Sequence, residues 1–214
     1  MDRVRTLTPR QQARRALILE SVRSQLDESG YEGLSMRKVA EQANVSPSTL
    51  YDIYGSKESL ILYAIEDNLR NLAVEEDQYE PGLERFLHRL ESISHFYEET
   101  PDTAEAITKL FFQGHADSPA NEVFLVNAIE ARRTSLNEML EMKQLKRGFD
   151  VEFYSRALIS VTWGTALFWV RGFIRSEDFR SELVRSSMSM LLHGTTSKAR
   201  KRTLEIIDAH TNTA

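Results

Sequence analysis

Ser46-Pro47 and Gly55-Ser56 bracket residues 47–54 between helix-start and helix-stop signals, and this bracket constrains the chain more than any other stretch. Ser46 is a good N-cap, and Pro47 falls at the first helical position, where its missing N–H costs no hydrogen bond. Gly55 can close the helix in a left-handed turn before Ser56 caps the next one. Just upstream, Ser35 opens another short helix with Met36, Val39, Ala40 and Ala43 on its inner face, and Asn44 can take the left-handed turn into Val45. Two small helices joined this tightly form a unit that presents the second of them to a DNA groove.

The same periodicity extends in both directions. Ala16, Leu19, Val22 and Leu26 recur at helical spacing ahead of Gly30, so a first helix is expected from about Pro9 to Ser29. A fourth begins at Ser56 with Leu60, Ile61, Ala64, Leu69 and Leu72 as its stripe and reaches the acidic run Glu75-Glu76-Asp77. Further helices are expected over 81–99, 103–114, 119–146, 151–175 and 177–193, followed by a basic tail with a frayed last helix. Gly and Pro are few, and no period-2 alternation is sustained, so the expected fold is all-α. We divide it into a helix-turn-helix domain over 1–62, with a basic arm over 1–15, and a larger helical domain over 63–214.

The net charge of -5 argues on its face against a nucleic-acid binder, but its distribution does not. Residues 1–62 hold 9 Lys and Arg against 8 Asp and Glu, leaving 18 against 24 for the remainder. Arg3, Arg5, Arg10, Arg14 and Arg15 face only Asp2 in the arm, a pattern that suits phosphates and equally a soluble terminus. The absence of cysteine excludes disulfides and thiol chemistry and fits a reducing cytoplasm. The first residues hold no apolar signal region, and the uncharged stretch Ala157–Val170 is shorter than the roughly 20 residues a membrane span needs. We therefore expect a cytoplasmic protein with no membrane partner.

Apolar residues cover more than one face of the helix expected over 151–175, so it should be buried on two sides. A partner subunit is the natural second side, and Trp169, Phe173, Phe179, Leu183, Met188 and Leu191 are the expected contribution to a symmetric four-helix dimer interface, the alternative being a core helix within the single chain.

The run Gly30-Tyr31-Glu32-Gly33-Leu34-Ser35-Met36-Arg37-Lys38-Val39-Ala40, then Ser48-Thr49-Leu50-Tyr51 and Tyr54-Gly55-Ser56-Lys57-Glu58, resembles the DNA-binding domain of the tetracycline-repressor (TetR) family. The resemblance covers about residues 10–64; beyond it only length, helical pattern and apolar late helices are similar. It implies a homodimeric, ligand-responsive transcriptional regulator, usually a repressor, that binds a palindromic double-stranded operator and is released by a small-molecule effector. By resemblance Arg37 reads a base, with Lys38 beside it, Pro47, Ser48 and Thr49 enter the groove, and Tyr51 and Lys57 hold phosphates. The chemistry agrees, since an Arg fork suits guanine O6 and N7, while a hydroxyl and an ammonium suit phosphate oxygens. Asp52 and Ile53 depart from the family pattern: Asp52 either accepts from cytosine N4 or turns away, and Ile53 is expected to pack inward.

Other chemistry is thin. His88, Glu91 and His95 share a helical face, yet on so charged a helix a solvated face outweighs a metal site, and no metal, cofactor or catalytic residue is expected. No phosphate loop or nucleophile elbow occurs, which leaves a metal-dependent helical enzyme as a remote alternative and an effector-free architectural DNA binder as a nearer one. For an effector pocket the candidates are Tyr97, Phe111, Phe112, Gln113, His115, Asn127 and Trp163, polar groups set among aromatics. The effector, operator and regulated genes are not legible in the sequence.

Overall fold

The computed structural model describes residues 8–74, 78–113 and 119–211, with side chains described outside 68–74, 113 and 119–124. The described residues form ten α-helices and no strand. They are α1 (Pro9–Gly33), α2 (Met36–Gln42), α3 (Pro47–Tyr54), α4 (Lys57–Val74), α5 (Leu83–Glu99), α6 (Pro101–Gln113), α7 (Pro119–Glu141), α8 (Val151–Val170), α9 (Phe179–Leu192) and α10 (Ser197–Ala209). The acidic run Glu75-Glu76-Asp77 lies outside the described residues.

The start of α1 is fixed by Thr8, whose hydroxyl accepts the Gln11 N–H while the Gln11 side chain accepts the Thr8 N–H, a reciprocal cap. Its regular turns end at Gly30, which takes φ 65°, and the chain then re-enters a last turn up to Gly33. Ile18, Leu19, Val22 and Leu26 of α1, Met36, Val39 and Ala40 of α2, and Leu50 and Tyr54 of α3 are buried together. Leu60 and Ile61 of α4 close this small core. Asn44 takes the expected left-handed turn, with φ 51°.

From there α4 runs on to pack against α7, α5 and α6, and α1 lies along α6. The two halves meet in a polar seam. Thr103 donates to Asp27 at 3.2 Å, Asn127 donates to Glu66 at 2.6 Å, and Arg23 faces Asp67 at 3.6 Å. A small cleft opens there, lined by Arg23, Leu26 and Asp27 of α1, Ala64 and Ile65 of α4, and Phe96, Thr100 and Thr103.

At the far end of the body, Gln144 reaches back to accept the Leu83 N–H at 2.8 Å and so caps α5. Gly82 makes this possible: it takes φ 88°, and a Cβ there would stand 2.1 Å from Gln144 Oε1.

Two expectations are corrected in this half. The basic tail is not frayed: α10 is a regular helix that buries Ala199, Thr203 and Ile206 against α9, and Arg202 clamps Glu84 with hydrogen bonds of 2.7 and 2.9 Å. With α5, α8 and α10 all packed on it, α9 becomes the central helix of the body. Phe179, Leu183, Met188 and Leu191 are therefore fully enclosed by the chain itself and have no surface to give a partner. Trp169 is nearly as buried and directs its indole N–H to Ser176 at 3.3 Å. Of the residues expected at a dimer interface only Phe173 projects, 79% exposed in the turn after α8.

Candidate nucleic-acid interface

The geometry of α3 follows from its two ends and its two anchors. Ser46 caps it, accepting the Thr49 N–H at 3.1 Å, and its hydroxyl also lies 2.8 Å from the hydroxyls of Ser48 and Thr49. Gly55 ends it with φ 78° and an N–H bonded to the Tyr51 carbonyl. Leu50 and Tyr54, one turn apart, point into the small core, and Tyr54 meets Tyr63 edge to face with ring centres 5.5 Å apart. The opposite arc is thereby committed to solvent. Pro47, Ser48, Tyr51 and Asp52 are exposed and Thr49 is half-buried, so this arc brings together the groove-facing residues expected from the sequence.

Ile53 is the exception. It was expected to pack inward but is 54% exposed. A two-turn helix has room for one inward arc, and Leu50 and Tyr54 already occupy it. Ile53 thus adds an apolar group on the flank of the exposed face, next to the exposed Asp52.

Two of the flanking cations, Arg37 and Lys57, have partners within the domain. On α2, Arg37 and Lys38 are exposed, and Arg37 Nε donates to Glu41 Oε1 at 3.1 Å. At the start of α4, the Lys57 ammonium sits over the Tyr31 ring, 4.6 Å from its centre, and the Tyr31 hydroxyl donates to Glu58 at 3.2 Å. Partial burial works against the Glu58 carboxylate, but hydrogen bonds from its backbone, Ser56 and Tyr31 together outweigh it and hold its pKa below the usual value. Burial first, and the adjacent Glu58 charge second, push the Tyr31 phenol upward. The Arg37–Glu41 pair was readable from its spacing of four. The Tyr31–Lys57 contact was not, because only the turn at Gly30 brings those elements together. Within the arm, Arg15 faces Asp67 at 3.9 Å, whereas Arg3 and Arg5 lie outside the described residues.

The effector candidates do not converge on one place. Phe111 stacks flat on Trp163, ring centres 4.1 Å apart and planes 3° from parallel, with Phe112 edge-on to Phe111 and half exposed. Tyr97 belongs to a different cluster, edge-on to Trp169 and Phe179 at 6.3 and 5.6 Å, where full burial drives its hydroxyl pKa far up. Asn127 is exposed on the seam with α4 and bonded to Glu66, so it faces no aromatic pocket. The Gln113 side chain and His115 lie outside the described residues. His88 stacks on Tyr79 at 3.7 Å and lies 3.2 Å from the Ser92 hydroxyl, and among the described residues no cluster of His, Asp or Glu could hold a metal. Among them, too, no helix is long and apolar enough to cross a membrane.

First, second and fourth helices that share one small core and present a short, capped third one define a helix-turn-helix DNA-binding domain, here ahead of a larger helical body. Residues 18–64 match the family model described as bacterial regulatory proteins, tetR family. Over those residues the chain is similar to the tetR family. It is 32% identical over 113 residues to the HTH-type transcriptional repressor KstR of Rhodococcus jostii, a match covering 51% of this chain and 53% of that one. The chain spans about half the length of the first curated relatives it matches. In fold it is similar to a TetR transcriptional regulator from Rhodococcus sp. RHA1, with TM-score 0.67 and 20% identity over 85% of this chain and 97% of that one. It is also similar to TylP, a TetR regulator from Streptomyces fradiae, with TM-score 0.65 and 15% identity over 96% and 100%.

Proposed function

We propose that this chain is a cytoplasmic, ligand-responsive transcriptional repressor that binds a palindromic operator as a homodimer and is released by a small-molecule effector. One observation carries the reading: the Leu50 and Tyr54 anchors leave Pro47, Ser48, Thr49, Tyr51 and Asp52 on one solvent-facing arc, flanked by Arg37, Lys38 and Lys57. In this reading Arg37 reads a base edge, the α3 arc enters the major groove, and Tyr51 and Lys57 hold phosphates. Tyr31 then serves as a positioning residue, since its ring fixes where the Lys57 ammonium stands.

The functional division falls near residue 62, within α4, so one helix belongs to both units. For the dimer, the supporting surface is the outer face of α8. Phe153, Ser160 and Phe168 are exposed there, Ala157, Val161 and Gly164 are half-buried between them, and Phe173 follows. The reading requires that pairing this face around a twofold place two copies of α3 about 34 Å apart, or wider by whole helical turns, to match successive major grooves. An effector favouring one arrangement of the body would change that spacing and lower the population that fits DNA. The Phe111–Trp163 stack is the proposed wall of the effector site, because α6 joins it to α1 through the Thr103–Asp27 bond.

Selection of bound sequences from random duplexes tests the proposal. A palindrome with half-sites one or more turns apart is the expected product; no enrichment, or a single unrepeated half-site, overturns it.

A further inference from the structure

The ends of the body farthest from α3 carry a charge pattern that the operator cannot use. Residues 142–149 and 193–202 together hold seven Lys and Arg and no Asp or Glu, in a chain whose net charge is -5. The fold locks these two stretches together. Leu145 and Thr195 form a β-bridge, the Lys146 N–H donates to the Gly194 carbonyl at 2.8 Å, and the Thr196 N–H donates to the Gln144 carbonyl at 2.9 Å.

Three of the cations have a structural task. Lys146 donates to the His193 carbonyl, Lys198 to that of Met142 and Arg200 to that of Leu192, neutralising the C-terminal ends of α7 and α9. Arg202 is clamped by Glu84. Lys143, Arg147 and Lys201 remain outermost, and Lys201 is 89% exposed despite a Glu205 carboxylate 3.9 Å away. Sequence distance hid the patch, because neither half alone holds more than four cations.

We infer that this surface is a second nucleic-acid contact, binding the phosphate backbone of a duplex other than the operator. Its composition selects the partner. The exposed large apolar side chains in these stretches come down to Met142, so a protein interface would lack the apolar centre such interfaces have, and a membrane would find no anchor. Phosphate backbones need only an array of cations on a polar, wet surface. Position excludes the operator itself. α5 touches this end through Leu83 and Glu84 and reaches the α1–α4 cleft through Phe96, 13 residues or roughly 20 Å along the helix. A molecule seated on its operator would thus hold another DNA segment at its opposite end.

The test uses the full chain, a short fluorescent duplex of random sequence and two variants. Lys143→Gln/Arg147→Gln/Lys201→Gln removes the outer charges and spares the three carbonyl-bonded cations, so its helical circular dichroism and melting should match the parent. Arg37→Ala/Lys57→Ala weakens the recognition surface instead. If three phosphates are engaged, capture by the patch falls about 40-fold between about 50 and 200 mM salt. This component should persist in the recognition variant and vanish in the patch variant, while the patch variant keeps its operator affinity. Equal capture by parent and patch variant overturns the inference. So does loss of all capture in the recognition variant, or binding to phosphatidylserine vesicles without duplex capture. Failure of operator selection alongside retained patch binding would count against the proposed function alone.

Discussion

Arg37 provides the sharpest test of base reading, because its partner in the free protein is visible. Its guanidinium is engaged with Glu41 at 3.1 Å, an exposed pair one helical turn apart. Pairs of this kind are worth about 0.3–0.5 kcal/mol, whereas a bidentate contact to guanine discriminates by about 1–3 kcal/mol. A cognate guanine therefore outcompetes Glu41, but a wrong base or a lone phosphate scarcely does. Arg37→Ala should then weaken operator binding by roughly 5- to 150-fold, with the loss concentrated at one base pair in each half-site. Glu41→Gln should tighten operator binding by about twofold, the worth of the pair it removes, and leave random-duplex binding nearly unchanged. In the Arg37→Ala background that gain should disappear. Fluorescence anisotropy on the selected operator, its single-base variants and a random duplex measures all of these. Equal loss on operator and random duplex in Arg37→Ala would refute the base-reading role, and a Glu41→Gln gain that survives without Arg37 would refute the competition.

Gly82→Ala should destabilise the chain by at least about 1–2 kcal/mol, since it strains a residue at φ 88° and displaces the Gln144 cap from α5; thermal melting would register it. Phe179→Ala should cost about 3–5 kcal/mol in the same assay, because its ring is fully buried between Tyr97 and Trp169. Phe173→Ala should leave the melting of the isolated subunit nearly unchanged and, if the outer face of α8 pairs, weaken the dimer in sedimentation equilibrium. Hydrogen bonds from Arg202 lower the Glu84 pKa, so the clamp on α10 stabilises the fold above the ordinary carboxylate pKa of about 4.3 and is lost as pH falls through the lowered value. The melting difference between the parent and Glu84→Gln should accordingly be present near neutrality and shrink in acid; a difference that grows in acid would reverse the assignment.

Local signals were enough for the DNA-binding unit. Ser46, Pro47, Asn44, Gly55 and the Leu50 spacing act within one or two helical turns, so caps and left-handed turns could be read along the chain and recur in the structure. The helical class was legible for the same reason. What depended on distant partners was not. The apolar face of α9 looks the same whether another subunit or α10 covers it, and only the packed body decides for α10, which encloses Phe179, Leu183, Met188 and Leu191. The aromatic candidates likewise share a composition but not a location: Phe111 and Trp163 meet, while Tyr97 and Asn127 face elsewhere. The sequence by itself determined that a short capped helix would be offered to solvent, because capping and helical period are properties of neighbouring residues. Which side chains hold Lys57, which face of the body is free and where cations from two distant stretches gather were decided by tertiary structure, since burial and charge density belong to surfaces assembled from residues far apart in the chain.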